Sequence, residues 1–479
     1  MRQQPSKIGV VMGLWGRLWA LTAAAWISCA AVESGPSWPG MGPDGCSGLS
    51  CLVPRCPEGV VTELSGRVTA PNGQTPIPQA LVYVPLSDGP LSPQPSELAC
   101  ETCSSPLRDR ALVVTQTGID GRFTLRNLPA GDRIPIVVQK GRFRRRFELP
   151  ITGCQSQVAS GPGAQGSLPL PAQRSEGDLP RMAVAAGDHD AIECVLRELG
   201  LAPSEFTAAR DPQTGGEGSG AVHLYDNQSP GTPVLPGQSP IAELLGSRER
   251  LFSYQQIFLN CSGTAYSQAL LRQPQVLANL RDYLAAGGRL YVTDWSYDFL
   301  QQVPELAPFV CFEDDQDCSI TTPHGFHAAV AQGGTLSSLS AAVSIDSPKT
   351  QALSDWLAML STGAPLVPSA LPISDLLPGW VVVQQTARDA ARYPVTTWLA
   401  AEISDRIRPP RRRPLTLSFD YPPQAICGRA LFSSYHTRQR SQRLAFPAYC
   451  PATGTSLLPQ EHVLAFLFFE LNSCLGEIG

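Results

Sequence analysis

The order of apolar and polar residues divides the chain into a strand-rich first part and a second part in which strands alternate with helices. Between residues 64 and 151, short runs alternate apolar and polar positions, and turns rich in Gly, Pro and Asn separate them. Residues 64–69, 80–85 and 122–125 are typical runs. A period of two is that of half-buried strands, so the pattern predicts a β-sandwich.

From residue 180 onward the pattern changes. Residues 180–187 and 289–294 are apolar runs of strand length, and residues 274–286 repeat apolar positions at helical spacing before Gly287. Alternation of strands and helices predicts a parallel sheet with helices on both faces. The expected protein is therefore multidomain, with an N-terminal β-sandwich followed by an α/β doubly wound parallel-sheet domain.

The N-terminus has the composition of a secretory signal. Arg2, Lys7 and Arg17 precede an apolar stretch over residues 18–27, which ends at small residues. The stretch is shorter than the about 20 residues that span a bilayer. Residues 26–29 resemble a bacterial lipobox, in which Cys29 would carry lipid, and an ordinary small-x-small cleavage site also fits.

These patterns give a predicted domain organisation. The segments are a signal peptide (1–30), a Pro/Gly/Cys-rich tether (31–60), the first domain (61–153), a Gly/Pro/Gln/Ser-rich linker (154–179) and the α/β domain (180–479). We expect an exported protein that is either lipid-anchored in a bacterial cell envelope or secreted.

Export places the cysteines in an oxidising compartment, where disulfides form. The sequence has 14 cysteines. Removal of Cys29 would leave 14 − 1 = 13. Because this number is odd, at least one thiol is expected to be free or to pair outside the chain. Closure of short loops and proximity on one face of the sheet predict three bridges. They are Cys311–Cys318, Cys427–Cys450 and Cys194–Cys474.

Charge argues against a nucleic-acid partner. The net charge is −5, which offers no attraction to a polyanion. Two arginine runs, residues 142–146 and 408–413, are local exceptions. We expect both to be solvated surfaces, the first as one face of a strand and the second as a proline-bounded loop.

The first domain resembles the carboxypeptidase regulatory-like (transthyretin-like) domain. The pattern that carries the resemblance is Ser65-Gly66-x-Val68, Ala80-x-Val82-x-Val84, Thr117-x-x-x-Gly121-x-Phe123-x-Leu125 and Leu128-Pro129-x-Gly131. The resemblance implies an accessory sandwich without catalytic residues, suited to folding support, adhesion or carbohydrate contact.

Residues 256–263, 284–294 and 428–436 resemble the class I glutamine amidotransferase-like fold, nearest its ThuA-like branch. With both modules, the chain is similar to uncharacterised exported bacterial proteins. The resemblance implies a nucleophilic cysteine on a strained turn after the strand that ends at Thr293. The residue at that turn is Asp294, which argues against the activity of that family.

Cys261 is the alternative candidate nucleophile. It follows an apolar run over residues 257–259, so it is expected at the carboxyl end of a central strand, where open α/β sheets bind ligands. His436, at the end of the last strand, would be its base. A buried thiol or one half of a disulfide is the competing interpretation of Cys261.

Four further polar residues, together with His436, are predicted at carboxyl ends of strands and are candidates for ligand binding. They are Asp188, His189, Asp190 and Asp294. Their oxygen and imidazole groups suit a hard or borderline cation. No spacing fixes their mutual geometry, so the sequence predicts no metal and no cofactor.

The sequence therefore favours an exported, envelope-anchored protein that binds a ligand or partner without catalysis, such as a glycan or an envelope protein. The alternative is an extracytoplasmic hydrolase that acts on an amide or glycan through Cys261 and His436. A purely structural role is the third class.

Overall fold

The computed structural model describes residues 46–479, with gaps. The residues outside the description are 1–45, 104–106, 162–165, 188, 211–212, 228–233, 262–263, 313–324, 327–328, 330–332, 363, 405–409, 439–443, 453, 455–456 and 476–479. Residues 46–479 form one compact unit. No helix among the described residues is long and apolar enough to cross a membrane.

The first part of the chain is built of strands. They are β1 (Glu63–Thr69), β2 (Leu81–Pro85), β3 (Ala111–Gln116), β4 (Arg122–Arg126), β5 (Gly131–Lys140), β6 (Phe143–Ile151), β7 (Ser156–Val158) and β8 (Ser167–Pro169). One described sheet has the order β4-β1-β7, with β8 also paired to β1, and a second has the order β3-β2-β5-β6.

Alternation of side chains sets the faces of these strands. In β4, Phe123 and Leu125 are buried, and the residues between and beside them are exposed. Gly121 enters β4 with φ +77°, and a Cβ there would lie 2.5 Å from the carbonyl oxygen of Val68. Glycine is therefore required at this turn, both for its backbone conformation and for the close approach to β1.

The segment predicted as a linker, residues 154–179, contributes strands to the first sheet. β7 and β8 both pair with β1 in parallel, and Leu168 and Leu170 are buried. Its composition is typical of linkers, but composition carries no information about pairing with a strand about 90 residues away.

The second part contains a long mixed sheet and the α-helices of the described residues. The strands of this part are β9 (Met182–Ala186), β10 (Phe206–Ala208), β11 (Val222–Asp226), β12 (Gln256–Leu259), β13 (Arg289–Thr293), β14 (Val310–Cys311), β15 (Leu339–Val343), β16 (Ser361–Thr362), β17 (Ala364–Pro365), β18 (Leu371–Ile373), β19 (Gln385–Thr386), β20 (Thr396–Ile403), β21 (Arg411–Tyr421) and β22 (Gly428–Ser433). The helices are α1 (Ile192–Glu198), α2 (Ile241–Gly246), α3 (Arg248–Phe252), α4 (Thr264–Leu271), α5 (Pro274–Ala285), α6 (Asp298–Gln301), α7 (Pro348–Met359) and α8 (Pro459–Leu471).

The main sheet has ten strands in the described part of the chain, in the order β10-β11-β9-β12-β13-β22-β21-β20-β15-β18. The strands from β10 to β22 are parallel. β21, β20, β15 and β18 extend the sheet with antiparallel pairs. The prediction of a mixed α/β protein with a β-rich first part is confirmed, and the antiparallel extension was not predicted.

The two parts share a hydrophobic core. Phe143 of β6 packs edge-to-face against Phe468 and Phe469 of α8, with ring centroids 5.6 Å apart in both cases. The indole N–H of Trp356 on α7 donates to the carbonyl oxygen of Pro76 at 3.0 Å. These contacts bury aromatic surface from both parts, so we expect the two parts to stabilise each other.

Disulfide bonds are present, as predicted, but two of the predicted pairings are wrong. The bonds are Cys46–Cys51, Cys56–Cys154, Cys100–Cys427, Cys103–Cys474 and Cys194–Cys450. They replace the predicted Cys427–Cys450 and Cys194–Cys474. The entropy of closing a loop rises only slowly with its length, so sequence proximity is a weak guide to pairing.

Two further cysteines bear on the predictions. Cys311 is disulfide-bonded, whereas its predicted partner Cys318 lies outside the described residues. Cys261 is the one free cysteine among those described, and it is buried.

The first arginine run is not a solvated surface. Arg144 is buried, and its guanidinium contacts Asp178 Oδ2 at 2.7 Å and Asp109 Oδ2 at 2.9 Å. Arg142 is also buried and pairs with Glu101 at 2.8 Å. The alternation of the run correctly predicted a strand, but the face expected to meet solvent is covered by acidic loops.

The second run, predicted as an exposed loop, enters a strand. β21 begins at Arg411, which is exposed together with Arg412, whereas Arg413 is buried. Residues 405–409 lie outside the described residues.

Candidate functional site

Three polar side chains meet at the carboxyl edge of the parallel strands. Cys261 lies two residues after β12, Asp294 directly follows β13, and His436 lies three residues after β22. β12, β13 and β22 are neighbours in the sheet. Because parallel strands end at one edge, residues far apart in sequence come together there.

The geometry of this Cys261–Asp294–His436 cluster is compact. Asp294 Oδ2 lies 2.9 Å from His436 Nε2 and 3.8 Å from Cys261 Sγ. One donor atom from each side chain lies within 4.8 Å of the other two. Each residue is only 1% exposed.

The backbone around the cluster is held tightly. Asp294 has φ +39°, a left-handed conformation that is rare outside glycine and marks a sharp turn after β13. The backbone N–H of Val381 donates to Asp294 Oδ1 at 2.5 Å. A Cβ at Gly187, after β9, would lie 1.9 Å from the carbonyl oxygen of Cys261, so only glycine allows β9 and β12 to end this close together.

Polar neighbours fix the residue before Cys261. Ser296 Oγ and Asn227 Nδ2 both donate to the carbonyl oxygen of Asn260, at 2.7 Å and 2.8 Å. Asn260 Nδ2 in turn donates to Glu193 Oε2 at 3.2 Å. These hydrogen bonds link β11, β12 and α1 behind the cluster.

Burial shifts the ionisation of the cluster. Burial raises the pKa of the Cys261 thiol to about 11, so at neutral pH the sulfur is protonated. Burial alone would lower the pKa of His436, but its neighbours Cys261 and Asp294 outweigh that effect and raise the pKa well above its usual value. Burial therefore favours the protonated thiol form of Cys261, and the neighbouring side chains favour a proton on His436.

This arrangement has the residue types of a hydrolytic triad but a different position of the acid. In such a triad the imidazole lies between the nucleophile and the acid, and it accepts the proton of the nucleophile. Here the same carboxylate oxygen contacts both the thiol and the imidazole. The imidazole of His436 also interacts with the Cys261 thiol, but neither ring nitrogen makes a well-aligned hydrogen bond with a described residue. A protonated thiol must lose its proton to a base before it can act as a nucleophile.

Further polar atoms at this edge of the sheet are buried without a hydrogen-bond partner among the described residues. They are Asp190 Oδ2, Asn227 Oδ1, Asn260 Oδ1 and Ser434 Oγ. Buried polar groups are normally paired because an unpaired one costs free energy. The carboxyl edge of parallel strands is where open α/β sheets commonly bind ligands, so these atoms are candidates for contact with a ligand.

A second titratable group lies behind the edge. Glu193 on α1 is buried, and burial raises its pKa to about 7. Tyr449 Oη donates to Glu193 Oε1, and Asn260 donates to the other carboxylate oxygen. Glu193 was not singled out in the sequence, where an acidic residue on a short helix carries no distinguishing signal.

A small cavity of about 80 Å³ lies next to α1. Ala191, Val195, Arg438, Tyr449 and Leu457 are among its lining residues. The volume fits a few water molecules. None of the three cluster residues lines it.

The predicted site residues have different positions. Cys261, Asp294 and His436 come together. Asp190 is buried, and its Oδ1 accepts hydrogen bonds from the backbone N–H of Thr437, at 2.9 Å, and from the Thr437 hydroxyl. It therefore anchors the residue after His436 and is not one of the cluster residues.

His189 is half-buried, and Asp188 and Cys29 lie outside the described residues. Sequence reasoning missed Asn227 and Asn260, which each directly follow a strand. A polar residue at that position is the signal that identifies them.

A comparison with known protein families finds no family model that matches the chain, and a comparison with curated proteins finds none that matches it.

Proposed function

We propose that the protein is an exported, envelope-associated protein whose α/β part binds a ligand or partner without catalysis. The observation that carries the proposal is the Cys261–Asp294–His436 cluster, where the thiol is buried and protonated. Unpaired polar atoms at the same edge of the sheet supply hydrogen-bonding groups for a ligand. Both features suit binding better than nucleophilic attack.

The disulfides support the extracytoplasmic location. Five bonds are described in full, and such bonds persist in oxidising compartments. Anchoring through lipid at Cys29 belongs to the same proposal, because the tether that follows would hold the folded part away from the membrane surface.

The two resemblances give the proposal its domain identities. Two four-stranded sheets among the described residues suit a carboxypeptidase regulatory-like sandwich with an accessory role, such as glycan contact. In the second part, the left-handed turn at Asp294 suits the strained turn of the amidotransferase-like fold. A carboxylate at that turn is consistent with a domain that has lost the activity of the family.

The test is a thermal-shift screen of the mature protein against envelope glycans and soluble envelope proteins. A ligand present at 100 times its Kd stabilises the folded state by about 2.7 kcal/mol. We expect at least one ligand to raise the Tm of the wild type, and Ser434→Ala to reduce that rise by removing a hydroxyl at the edge. No rise in Tm with any ligand would instead support a purely structural role.

The alternative function is hydrolysis of an extracytoplasmic amide or glycan through Cys261 and His436. It is favoured by one observation, the contact of the free thiol with a histidine and a carboxylate. Titration of the folded protein with a thiol reagent separates the two functions. We expect Cys261 to react slowly because it is buried and protonated. Fast reaction at Cys261, with a hydrolytic activity that disappears in Cys261→Ala, would replace binding with catalysis.

A further inference from the structure

The donor set of the cluster is that of a transition-metal site. Cys261 offers sulfur, His436 nitrogen and Asp294 oxygen, and the described residues contain no other such group of three. We propose that the cluster binds one divalent cation of the zinc type. This inference rests on the proposed function and deepens it, because it identifies a metal ion as one ligand at the carboxyl edge of the parallel strands.

Two of the three distances between donor atoms lie close to those of a zinc site, and all three are below 4.8 Å. In a tetrahedral zinc site with bonds of about 2.0–2.3 Å, neighbouring donor atoms lie about 3.3–3.6 Å apart. The sulfur–oxygen distance in the cluster is 3.8 Å and the nitrogen–oxygen distance is 2.9 Å. The imidazole and carboxylate would therefore separate by about half an ångström to admit the ion.

The chemistry of the donors selects the class of metal. Mg²⁺ and Ca²⁺ take oxygen ligands, whereas zinc binds sulfur, nitrogen and oxygen together. Coordination uses the thiolate of Cys261 and a neutral ring nitrogen of His436, so both protons leave to solvent. Thiolate and carboxylate then balance the two positive charges, which suits a buried site.

The surroundings hold the donors in place. Asp294 Oδ1 is held by the backbone N–H of Val381, which leaves Oδ2 for the cation. The chain before Cys261 is held through the carbonyl oxygen of Asn260. Such outer contacts orient the ligands of protein metal sites.

Three protein ligands leave a fourth coordination position. In zinc sites with three protein ligands that position holds water or an exogenous molecule. The unpaired Asn260 Oδ1 belongs to the residue next to Cys261. A partner molecule that donates oxygen or nitrogen to the metal is therefore the class of ligand that the site would take.

The experiment uses the full mature protein, freed of metal with EDTA and then dialysed against Zn²⁺ or Co²⁺. We expect one equivalent of metal to be retained, and a thiolate-to-cobalt charge-transfer band in the near-ultraviolet spectrum of the Co²⁺ form. Cys261→Ser should remove that band. Asp294→Asn and His436→Gln should each weaken metal binding at least tenfold.

The matched control is His462→Gln. His462 is also a buried histidine with an unpaired ring nitrogen, but it is not part of the cluster, so its replacement should leave metal binding unchanged. Asp294→Asn is isosteric, so it keeps the test decisive if another variant fails to fold. Retention of less than a tenth of an equivalent by the wild type, or equal retention by all three cluster variants, would overturn the inference.

The outcomes also separate this inference from the proposed function. Absence of bound metal, together with a ligand-induced rise in Tm, would overturn the metal site alone. Bound metal with no effect of any organic or protein ligand on Tm would overturn the proposed partner binding and leave the metal site standing.

Discussion

Two adjacent serines at the end of β22 allow a direct test of how the carboxyl edge of the sheet is built. Ser433 Oγ pairs with Tyr291 Oη at 2.8 Å and donates to the carbonyl oxygen of Tyr435 at 3.1 Å. Ser434 Oγ is equally buried and has no hydrogen-bond partner in the part of the chain that the structure describes. The same substitution, serine to alanine, should therefore change stability in opposite directions at the two positions.

The magnitudes follow from the hydrogen bonds. Ser433→Ala leaves the buried Tyr291 hydroxyl without a partner, which costs about 1–3 kcal/mol. Ser434→Ala removes a hydroxyl that already carries that penalty, so we expect a change between zero and about 1 kcal/mol in favour of the folded state. The alanine methyl group retains the packing of the serine Cβ in both variants, which makes them a matched pair.

The assay is urea unfolding of the disulfide-intact protein, with the midpoint and slope measured for both variants and the wild type. An equal loss of stability in the two variants would mean that the Ser434 hydroxyl is paired in solution. That result would refute the argument that the protein keeps unsatisfied polar atoms at this edge for a ligand. A higher free energy of unfolding for Ser434→Ala would support the argument. It would mean that the unpaired hydroxyl lowers the stability of the folded state, as expected of a group that serves binding.

Two further predictions concern ionisable groups in the interior. Burial lowers the pKa of His223 and His462 to about 4, whereas the value in the unfolded chain is near 6.5. As the pH falls, the unfolded state therefore binds these protons first. The free energy of unfolding should decrease between about pH 6.5 and pH 4. The difference in free energy of unfolding between wild type and His462→Gln should change by about 1.4 kcal/mol per pH unit in that window and stay constant above pH 7. Parallel curves of unfolding free energy against pH for the two proteins would contradict this prediction. Arg144→Met should destabilise by about 3 kcal/mol, because it leaves two acidic partners without their cation, whereas Arg146→Met, at a more exposed position, should cost under about 1 kcal/mol. Similar denaturation midpoints for the two arginine variants would show that the burial of Arg144 has no energetic consequence.

Local pattern was sufficient for much of the secondary structure. Predicted runs at residues 257–259 and 289–294 correspond to β12 and β13, and the predicted helix at 274–286 corresponds to α5. Strand ends could also be located, so Cys261 and His436 were expected at the same edge of the sheet. Periodicity depends on neighbouring residues only, which is why it is visible in the sequence.

Contacts between distant residues were not predictable in the same way. The sequence did not indicate that Asp294 would contact Cys261, because the approach depends on the order of β12, β13 and β22 in the sheet and on the left-handed turn at Asp294. Cys427 pairs with Cys100, which is 327 residues away, and no local spacing identifies such a partner.

The sequence by itself determined the alternation of strands and helices and the positions of Cys261, Asp294 and His436 just after strands. The tertiary structure decided which cysteine stays free, which face of the arginine-rich strand is covered, and that one carboxylate contacts both a thiol and an imidazole. The physical reason is that periodicity records which side of an element is apolar. Only the packing of the whole chain determines what each side touches, and hence which charges are buried and which side chains can act together.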